Sequence, residues 1–190
     1  LLNEEQVMVR DAARAWTQEQ SPVSAFRKMR DSGQPLGFEP AAYAEMCEMG
    51  WAGVVIPEAY GGSDLGCLTL GLILEEAGRT LASGPVAETL VAARLLALCG
   101  GAEAGNILAD VLAGDAIVTL AFRDTAGEPL QWVAGGAIAH AVIARSGDEV
   151  VLVSIPEGAR VGEPNLASTP IAELDLSAHP RTVLGSGVAA

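Results

Sequence analysis

The chain has 190 residues, of which half are apolar, and its formal net charge is −13. This length predicts one large domain or two small ones, and the apolar content supports a sizeable core and argues against disorder. The negative charge, without any basic stripe, argues against binding to nucleic acid and disfavours an anionic membrane surface.

The three cysteines, Cys47, Cys67 and Cys99, have no metal-binding or redox spacing, and each falls in a predicted helix. We expect buried, small apolar residues in a reducing compartment rather than disulfides, metal ligands or nucleophiles. No apolar run reaches the roughly 18–20 residues that cross a bilayer, and no secretory signal precedes Leu1. A cytoplasmic location without a membrane span is therefore expected.

The first part of the chain carries helical patterns separated by short breaks. Asn3 and Gln6 have the spacing of a capping box, and the helix after them has an apolar face on which Trp16 is the expected core anchor. Residues 21–38 predict a weak helix followed by a loop. Further helices are predicted over 41–49, 65–77, 86–98 and 103–112.

A connector over 50–62 joins two of these helices. Gly50 can close the preceding helix in a left-handed conformation, and Pro57 makes the short β-branched run before it end in an extended or turning conformation. So apolar a connector is expected to be buried. A buried Tyr60 hydroxyl would need a partner, so Tyr60 is expected to brace the connector rather than touch substrate.

The helix after the connector has a polar start and an apolar body. Ser63 or Asp64 is the expected cap. Gly66 and Gly71 reduce helix stability, and close packing against a neighbour would explain them.

From Ala116 onward the pattern becomes that of strands, which are predicted over 117–122, 137–144, 150–155 and 181–184. Gly147-Asp148 between two of these runs suggests a hairpin. Helices first and strands afterwards predict an α+β fold. We expect an all-helical amino-terminal domain over 1–115 and a small, mostly antiparallel, β-barrel-like domain over 116–190.

Residues 51–62 read Trp-Ala-Gly-Val-Val-Ile-Pro-Glu-Ala-Tyr-Gly-Gly, and two further segments follow at 74–79 and 108–115. In order and spacing the three resemble segments of acyl-CoA dehydrogenases, and the first is similar to the W-x-G-hydrophobic-x-x-P-E-x-Y-G-G segment of that family. Residues 74–79, Leu-Glu-Glu-Ala-Gly-Arg, resemble the E-E-hydrophobic-G-R end of its next helix. Residues 108–115 resemble the L-P-x-L-x-x-G-E that precedes its first middle-domain strand.

The resemblance implies a flavoprotein in which a carboxylate removes the α-proton of an acyl-CoA thioester and the β-hydrogen leaves as hydride to FAD. In the family a carboxy-terminal helical domain carries that carboxylate. This chain resembles only the amino-terminal and middle domains, so no catalytic residue is assigned. The implied partners are an acyl-CoA substrate, an electron-transfer flavoprotein, and further subunits in a homo-oligomer or in a hetero-oligomer with another dehydrogenase-like chain.

The family's flavin contacts map to one stretch of this sequence. Family members commonly read Ala-Leu-Thr-Glu-Pro on the first middle-domain strand, and the Thr hydroxyl and nearby backbone donors bind the flavin ring. The matching candidates for cofactor binding are Phe122, Arg123, Asp124 and Thr125. Arg123 stands at the Thr position, the following Gly-Ser-Asp turn is missing, and the family's flavin-covering Trp segment has no clear match.

An arginine cannot imitate a compact hydroxyl donor, although it can meet a pyrophosphate. We therefore expect flavin binding by this chain alone to be weak or lost. The sequence is compatible with two functions. One is an acyl-CoA dehydrogenase flavoprotein or subunit. The other is a non-catalytic, flavin-deficient subunit of a heteromeric dehydrogenase that acts in assembly or substrate shaping.

In the family the acyl chain runs beside the helix that follows the E-E-x-G-R segment. Val86, Thr89 and Leu90 are the matching substrate-binding candidates, and plain core packing is the alternative for each. His140 and His179 are expected to be structural or surface residues, because no second ligand completes a metal site. Asp124 with Glu128 is expected to be a solvated pair of acids rather than an acid/base pair.

Overall fold

The computed structural model describes residues 2–187. The chain divides into two compact units, Leu1–Gly84 and Pro85–Ala190. Helices precede strands along the chain, which confirms the predicted α+β class. The helices are α1 (Glu4–Gln20), α2 (Val23–Asp31), α3 (Pro40–Glu48), α4 (Gly66–Thr80), α5 (Val86–Cys99) and α6 (Gly101–Ala113). The strands are β1 (Val118–Leu120), β2 (Leu130–Val133), β3 (Ala141–Ser146), β4 (Glu149–Ser154), β5 (Ala172–Asp175) and β6 (Arg181–Ser186).

The first unit is helical, and α1 packs against α4 within it. The capping box predicted for α1 is confirmed: Gln6 N donates to Asn3 Oδ1 at 2.8 Å, and Asn3 N donates to Gln6 Oε1 at 3.1 Å. Trp16 packs edge-on against Trp51 with ring centroids 5.3 Å apart, and its indole N–H donates to Glu45 Oε2 at 2.9 Å. Trp16 is half-buried rather than part of the buried core predicted for it, and its contacts join α1, α3 and the connector.

The connector over 50–62 is buried along its first half, from Trp51 to Ile56, as its apolar sequence predicts. Gly50 has a φ of 78°, the left-handed conformation expected at the end of α3. Two 3₁₀ turns, Trp51–Gly53 and Glu58–Tyr60, then fold the backbone back on itself. Asp64 N donates to Ile56 O at 3.0 Å, which closes this compact loop.

Two expectations for this region are wrong, and one stays a prediction. Tyr60 is 39% exposed, and its bracing of the connector stays a prediction. The cap of α4 is Leu65, without a side-chain hydrogen bond, rather than Ser63 or Asp64. A Cβ at Gly66 or Gly71 would meet no described atom within 4 Å, so close packing does not explain either glycine. At Gly66 the reason is its φ of +79°.

The second unit contains two sheets. One has the strand order β1-β3-β4-β6, with β1 parallel to β3 and the other pairs antiparallel. The other is the antiparallel pair β2-β5. Gly147-Asp148 forms the predicted hairpin turn, and Ser146 pairs with Glu149 on either side of it. Among the described strands β1 and β6 are sheet edges, so the barrel-like expectation is not met by a closed barrel.

The strand predictions for this unit need two corrections. β2 and β5 are not predicted from the sequence, because each has only four residues and they pair across about 40 positions of chain. Residues 137–140 lie in a turn before β3 rather than in the strand predicted over 137–144. This turn is nevertheless buried at Ala137, Ile138 and Ala139, and a buried apolar turn has the same composition as a buried strand.

The core of the second unit lies between its two sheets. Val133 of β2, Leu174 of β5 and Val142 of β3 belong to one buried cluster. Within the same unit α5 packs against β1 and α6. Of the helices in the described part of the chain, none combines the length and apolar composition that crossing a membrane requires.

Candidate functional site

The four predicted flavin-contact residues lie on the loop between β1 and β2. The pairing of β1 with β3 continues to the start of this loop, where Ala121 N donates to Ile143 O at 2.9 Å. Phe122 is 87% exposed, and the Arg123 guanidinium extends into solvent, where Nη1 lies 2.5 Å from Glu128 Oε2. Glu128 is thereby an ion-pair partner of Arg123 rather than an acid/base partner of Asp124.

The buried side chain of Gln131 holds this loop through hydrogen bonds to its backbone. Its Oε1 accepts from Arg123 N at 3.2 Å, and its Nε2 donates to Arg123 O at 3.2 Å and to Glu128 O at 2.9 Å. A buried amide that makes all these bonds has no polar atom left unpaired. The backbone of Arg123 is therefore engaged on both sides.

Asp124 fastens the same loop to the β3–β4 hairpin. Its Oδ1 accepts from Gly147 N at 2.9 Å and from Ala126 N at 2.9 Å. These two backbone hydrogen bonds, that of Gly147 first, lower the pKa of the Asp124 carboxyl, and Arg145 adds to the effect. The carboxylate is thus ionised at neutral pH and already bound within the chain.

Thr125 makes a second link between the loop and the hairpin. Its N–H donates to Arg145 O at 2.9 Å, and its Oγ1 donates to the same carbonyl at 3.0 Å. The hydroxyl of Thr125 therefore already donates its hydrogen bond within the chain.

A pocket of about 520 Å³ opens beside this loop. Phe122 lines it on the loop side, Leu95 of α5 and Ile143 of β3 contribute apolar surface, and the β3–β4 hairpin forms the opposite wall. The charged residues on its lining are Arg145, Asp148 and Glu149. The pocket lining thus combines apolar side chains with charged groups of both signs.

The predicted substrate-binding residues are buried on α5, with Val86 8%, Thr89 1% and Leu90 1% exposed. None of them lines the pocket, which α5 reaches through Leu95. Among the described residues Thr89 Oγ1 has no hydrogen-bond partner, which is unusual for a buried hydroxyl. The substrate-binding role of these three residues stays a prediction.

His140 has the structural role expected of it. Ile117 N donates to His140 Nδ1 at 2.9 Å, which ties the start of β1 to the turn before β3. Burial, and then the charge of Arg160, lower the pKa of His140 and favour its neutral form. In the described part of the chain no group of three potential metal ligands comes together.

The burial expected of the three cysteines is found at Cys47, is partial at Cys99, and is wrong for Cys67, which is exposed. Cys47 is buried, Cys99 is half-buried and Cys67 is exposed, and all three are free thiols. Burial raises the pKa of Cys47 and of Cys99, which disfavours the thiolate that a nucleophile needs.

The loop residues do not fit the hydrogen-bonded flavin contact that the resemblance implies. The N–H groups of Arg123, Thr125 and Ala126, the Asp124 carboxylate and the Thr125 hydroxyl donor all have partners within the chain. Phe122 and the outer part of the Arg123 guanidinium remain exposed. The assignment of these four residues to cofactor binding stays a prediction.

The sequence interpretation did not identify Gln131, Leu95 or Arg145 as parts of this region. Gln131 and Trp132 alternate between buried and exposed, which is a strand signal, but β2 is too short for that signal to stand out. Leu95 and Arg145 enter the pocket only because α5 packs on β1 and the hairpin folds over the loop. No local pattern predicts either contact.

Comparison with known proteins gives the family. A family model described as "Acyl-CoA dehydrogenase, N-terminal domain" matches residues 3–115. "Acyl-CoA dehydrogenase IpdE2" of Mycolicibacterium smegmatis is 30% identical over 77% of this chain and 44% of its own length. "Acyl-CoA dehydrogenase FadE34" of Mycobacterium tuberculosis is 29% identical over 96% of this chain and 27% of its own length. The chain thus spans less than half the length of these relatives.

Solved structures share the fold. "Tcur3481-Tcur3483 steroid ACAD G363A variant" has a TM-score of 0.73 at 23% identity and covers 96% of this chain and 57% of its own. The ChsE4-ChsE5 complex from Mycobacterium tuberculosis has a TM-score of 0.65 at 24% identity, and the match covers 81% of this chain and 48% of that one. A Mycobacterium smegmatis glutaryl-CoA dehydrogenase in complex with FADH2 has a TM-score of 0.69 at 15% identity, and the match covers 99% of this chain and 57% of that one.

The match over residues 3–115 includes all three segments on which the resemblance rests, and the solved structures extend the likeness through the β sheets. The chain belongs to the acyl-CoA dehydrogenase family.

Proposed function

We propose that this chain supplies the amino-terminal and middle portions of an acyl-CoA dehydrogenase-like protein that binds an acyl-CoA thioester. The reaction would be α,β-desaturation of the acyl group with hydride transfer to FAD. The observation that carries the proposal is the family match over residues 3–115. We keep 1–115 and 116–190 as the proposed domains, the first of which ends with that match.

The chemistry would be divided between the flavin and the protein. FAD, when bound, accepts the hydride, and the protein binds and orients the thioester and excludes water. We assign no catalytic base to any residue of this chain. An electron-transfer flavoprotein remains the proposed acceptor, and an oligomer with like or related subunits remains the proposed assembly.

A second candidate function is a flavin-deficient subunit of a heteromeric dehydrogenase. The specific observation in its favour is that Asp124, Thr125 and the Arg123 backbone are engaged within the chain. The ChsE4-ChsE5 complex, a neighbour in fold, is an assembly of two named chains and gives a precedent for such pairing. In this reading the chain shapes the substrate site or the assembly while a partner holds the flavin.

The test is the visible absorption spectrum of the full gene product, together with its intact mass and the binding of octanoyl-coenzyme A by calorimetry. A flavin band at one per chain with acyl-CoA binding supports the first function. Acyl-CoA binding without a flavin band, even after addition of excess FAD, supports the second. Protein that binds neither FAD nor octanoyl-coenzyme A would overturn both.

Thr89 offers a sharper test of substrate contact. Its hydroxyl is buried and finds no partner within residues 2–187, and such an unpaired group costs about 1–3 kcal/mol. Thr89→Val removes the hydroxyl with little change in shape, so it should raise the free energy of unfolding by about 1 kcal/mol. If the hydroxyl meets substrate, the same variant should weaken octanoyl-coenzyme A binding by about tenfold.

The control for this test is Thr80→Val on α4, whose hydroxyl donates to Ala77 O at 3.4 Å. It should leave octanoyl-coenzyme A binding unchanged. A Thr89→Val protein that gains stability and binds octanoyl-coenzyme A normally would assign Thr89 to core packing and rule out the substrate role.

A further inference from the structure

The β1–β2 loop and the β3–β4 hairpin are fastened by a small set of bonds between residues distant in sequence. Asp124 Oδ1 accepts from Gly147 N at 2.9 Å, 23 positions away. Thr125 donates twice to Arg145 O, from its N–H at 2.9 Å and from Oγ1 at 3.0 Å. We call Asp124, Thr125, Arg145 and Gly147 the rim clasp.

Two residues of the rim clasp, Arg145 and Gly147, line the pocket of about 520 Å³. Phe122, two residues before Asp124, lines the loop side, while Arg145 and Gly147 line the hairpin side. Bonds that hold the loop against the hairpin therefore set the distance between the two walls. Opening the clasp would widen the pocket or let its walls move independently.

The loop is also held on its other side, by Gln131. Because this buried amide bonds both backbone groups of Arg123, the residue after Phe122 cannot swing freely. Phe122 thus presents its ring to solvent from a restrained backbone at the pocket. An exposed ring on a restrained backbone offers a ligand apolar contact at a low entropy cost.

Hydrogen bonds hold the rim clasp together, and the ion pair between Arg145 and Asp124 contributes little. Arg145 Nε lies 3.8 Å from Asp124 Oδ2, but the Arg145 side chain is 70% exposed. Exposed ion pairs contribute little because water and salt screen them. The backbone N–H of Gly147, in contrast, has Asp124 Oδ1 as its acceptor.

We propose that Asp124 is a positioning residue, which holds Gly147 and so fixes the wall of a pocket that takes the apolar group of the ligand against Phe122. Asp124 itself touches no ligand. The choice of an acyl group as this ligand rests on the proposed function. The proposal gives the Asp124 position a role in shaping the pocket, where the resemblance implies a contact with flavin.

The test uses the full gene product and three variants. Asp124→Ala removes the acceptor, whereas Asp124→Asn keeps an amide oxygen at the Oδ1 position and loses the charge. Asp175→Ala is the matched control, because the Asp175 carboxylate accepts local bonds, from Ser177 N at 3.0 Å and from Ser177 Oγ at 2.6 Å. The measurements are amide hydrogen exchange at Gly147 and calorimetric binding of octanoyl-coenzyme A and of coenzyme A, well below the melting temperature.

Asp124→Ala should speed exchange of the Gly147 amide by about tenfold and weaken octanoyl-coenzyme A binding by about tenfold, with coenzyme A binding unchanged. Asp124→Asn should retain most of the wild-type behaviour on both measurements, and Asp175→Ala all of it. Faster exchange with unchanged octanoyl-coenzyme A binding would overturn the positioning role and leave the proposed function standing. Wild-type protein that does not bind octanoyl-coenzyme A would overturn both.

Discussion

Glu76 is a charged residue in the interior of the helical unit, with only 3% of its side chain exposed. Arg14 of α1 holds it through two hydrogen bonds, Nη2 to Oε1 at 2.7 Å and Nε to Oε2 at 3.2 Å. Arg79 Nε adds a weaker contact at 3.6 Å. A buried carboxylate needs such partners, because desolvation strongly disfavours an unpaired charge.

The Arg14 hydrogen bonds are the main reason why the pKa of Glu76 lies below its usual value. The unfolded chain then binds more protons than the folded one as pH falls. The stabilisation by Glu76 is accordingly complete above the ordinary glutamate pKa, about 4.3, and disappears as pH falls through the lower folded-state value.

We predict that Glu76→Gln lowers the free energy of unfolding at pH 7 by about 2 kcal/mol, because Gln cannot accept both guanidinium bonds. The difference from wild type should shrink as pH falls below about 4. Urea unfolding followed by circular dichroism at several pH values measures both effects. Glu75→Gln is the control, since its side chain is 57% exposed, and it should cost less than about 0.5 kcal/mol. If the stability lost in Glu76→Gln does not vary with pH, this account is contradicted.

At the scale of elements, the connector over 50–62 depends on Gly62. A Cβ added there would lie 2.0 Å from Ile56 O and 2.5 Å from Ile56 Cβ. Ile56 is fully buried, and its carbonyl accepts from Asp64 N at 3.0 Å. The close approach of the two backbones therefore leaves no room for a side chain.

We predict that Gly62→Ala destabilises the protein by about 2–4 kcal/mol, because the connector must move to relieve the clash. Gly71→Ala on α4 is the matched control, since a Cβ there meets no described atom within 4 Å. It should stabilise the protein by about 0.5–1 kcal/mol through helix propensity. Thermal unfolding of both variants against wild type is the measurement. If Gly62→Ala melts at the wild-type temperature, the connector is not as tightly packed as described.

At the scale of the whole molecule, the chain forms two compact units, Leu1–Gly84 and Pro85–Ala190. The order of the elements predicts a division near Asp115, where the helices end and the strands begin. The contacts divide the chain earlier because α5 packs on β1 and α6 and so groups with the sheets. The boundary near Asp115, where the family match also ends, stays a proposal for the domain organisation.

The sequence by itself determined the features that depend on neighbouring residues. The capping box at Asn3, the left-handed Gly50 and the Gly147-Asp148 hairpin follow from local backbone geometry and hydrogen bonding. The family resemblance likewise rests on short segments readable in order along the chain. Local interactions leave a local pattern, and such patterns are predictable.

Only the tertiary structure decided what depends on residues far apart in the chain. β2 pairs with β5, about 40 positions away, and Asp124 accepts a hydrogen bond from Gly147, from which two strands separate it in the sequence. The resemblance assigns the loop 122–125 to flavin binding. In the structure this loop is hydrogen-bonded to Gln131 and to the β3–β4 hairpin, and no residue spacing in the sequence predicts these bonds. Long-range pairing depends on which surfaces folding brings together, so one stretch of sequence cannot specify it alone.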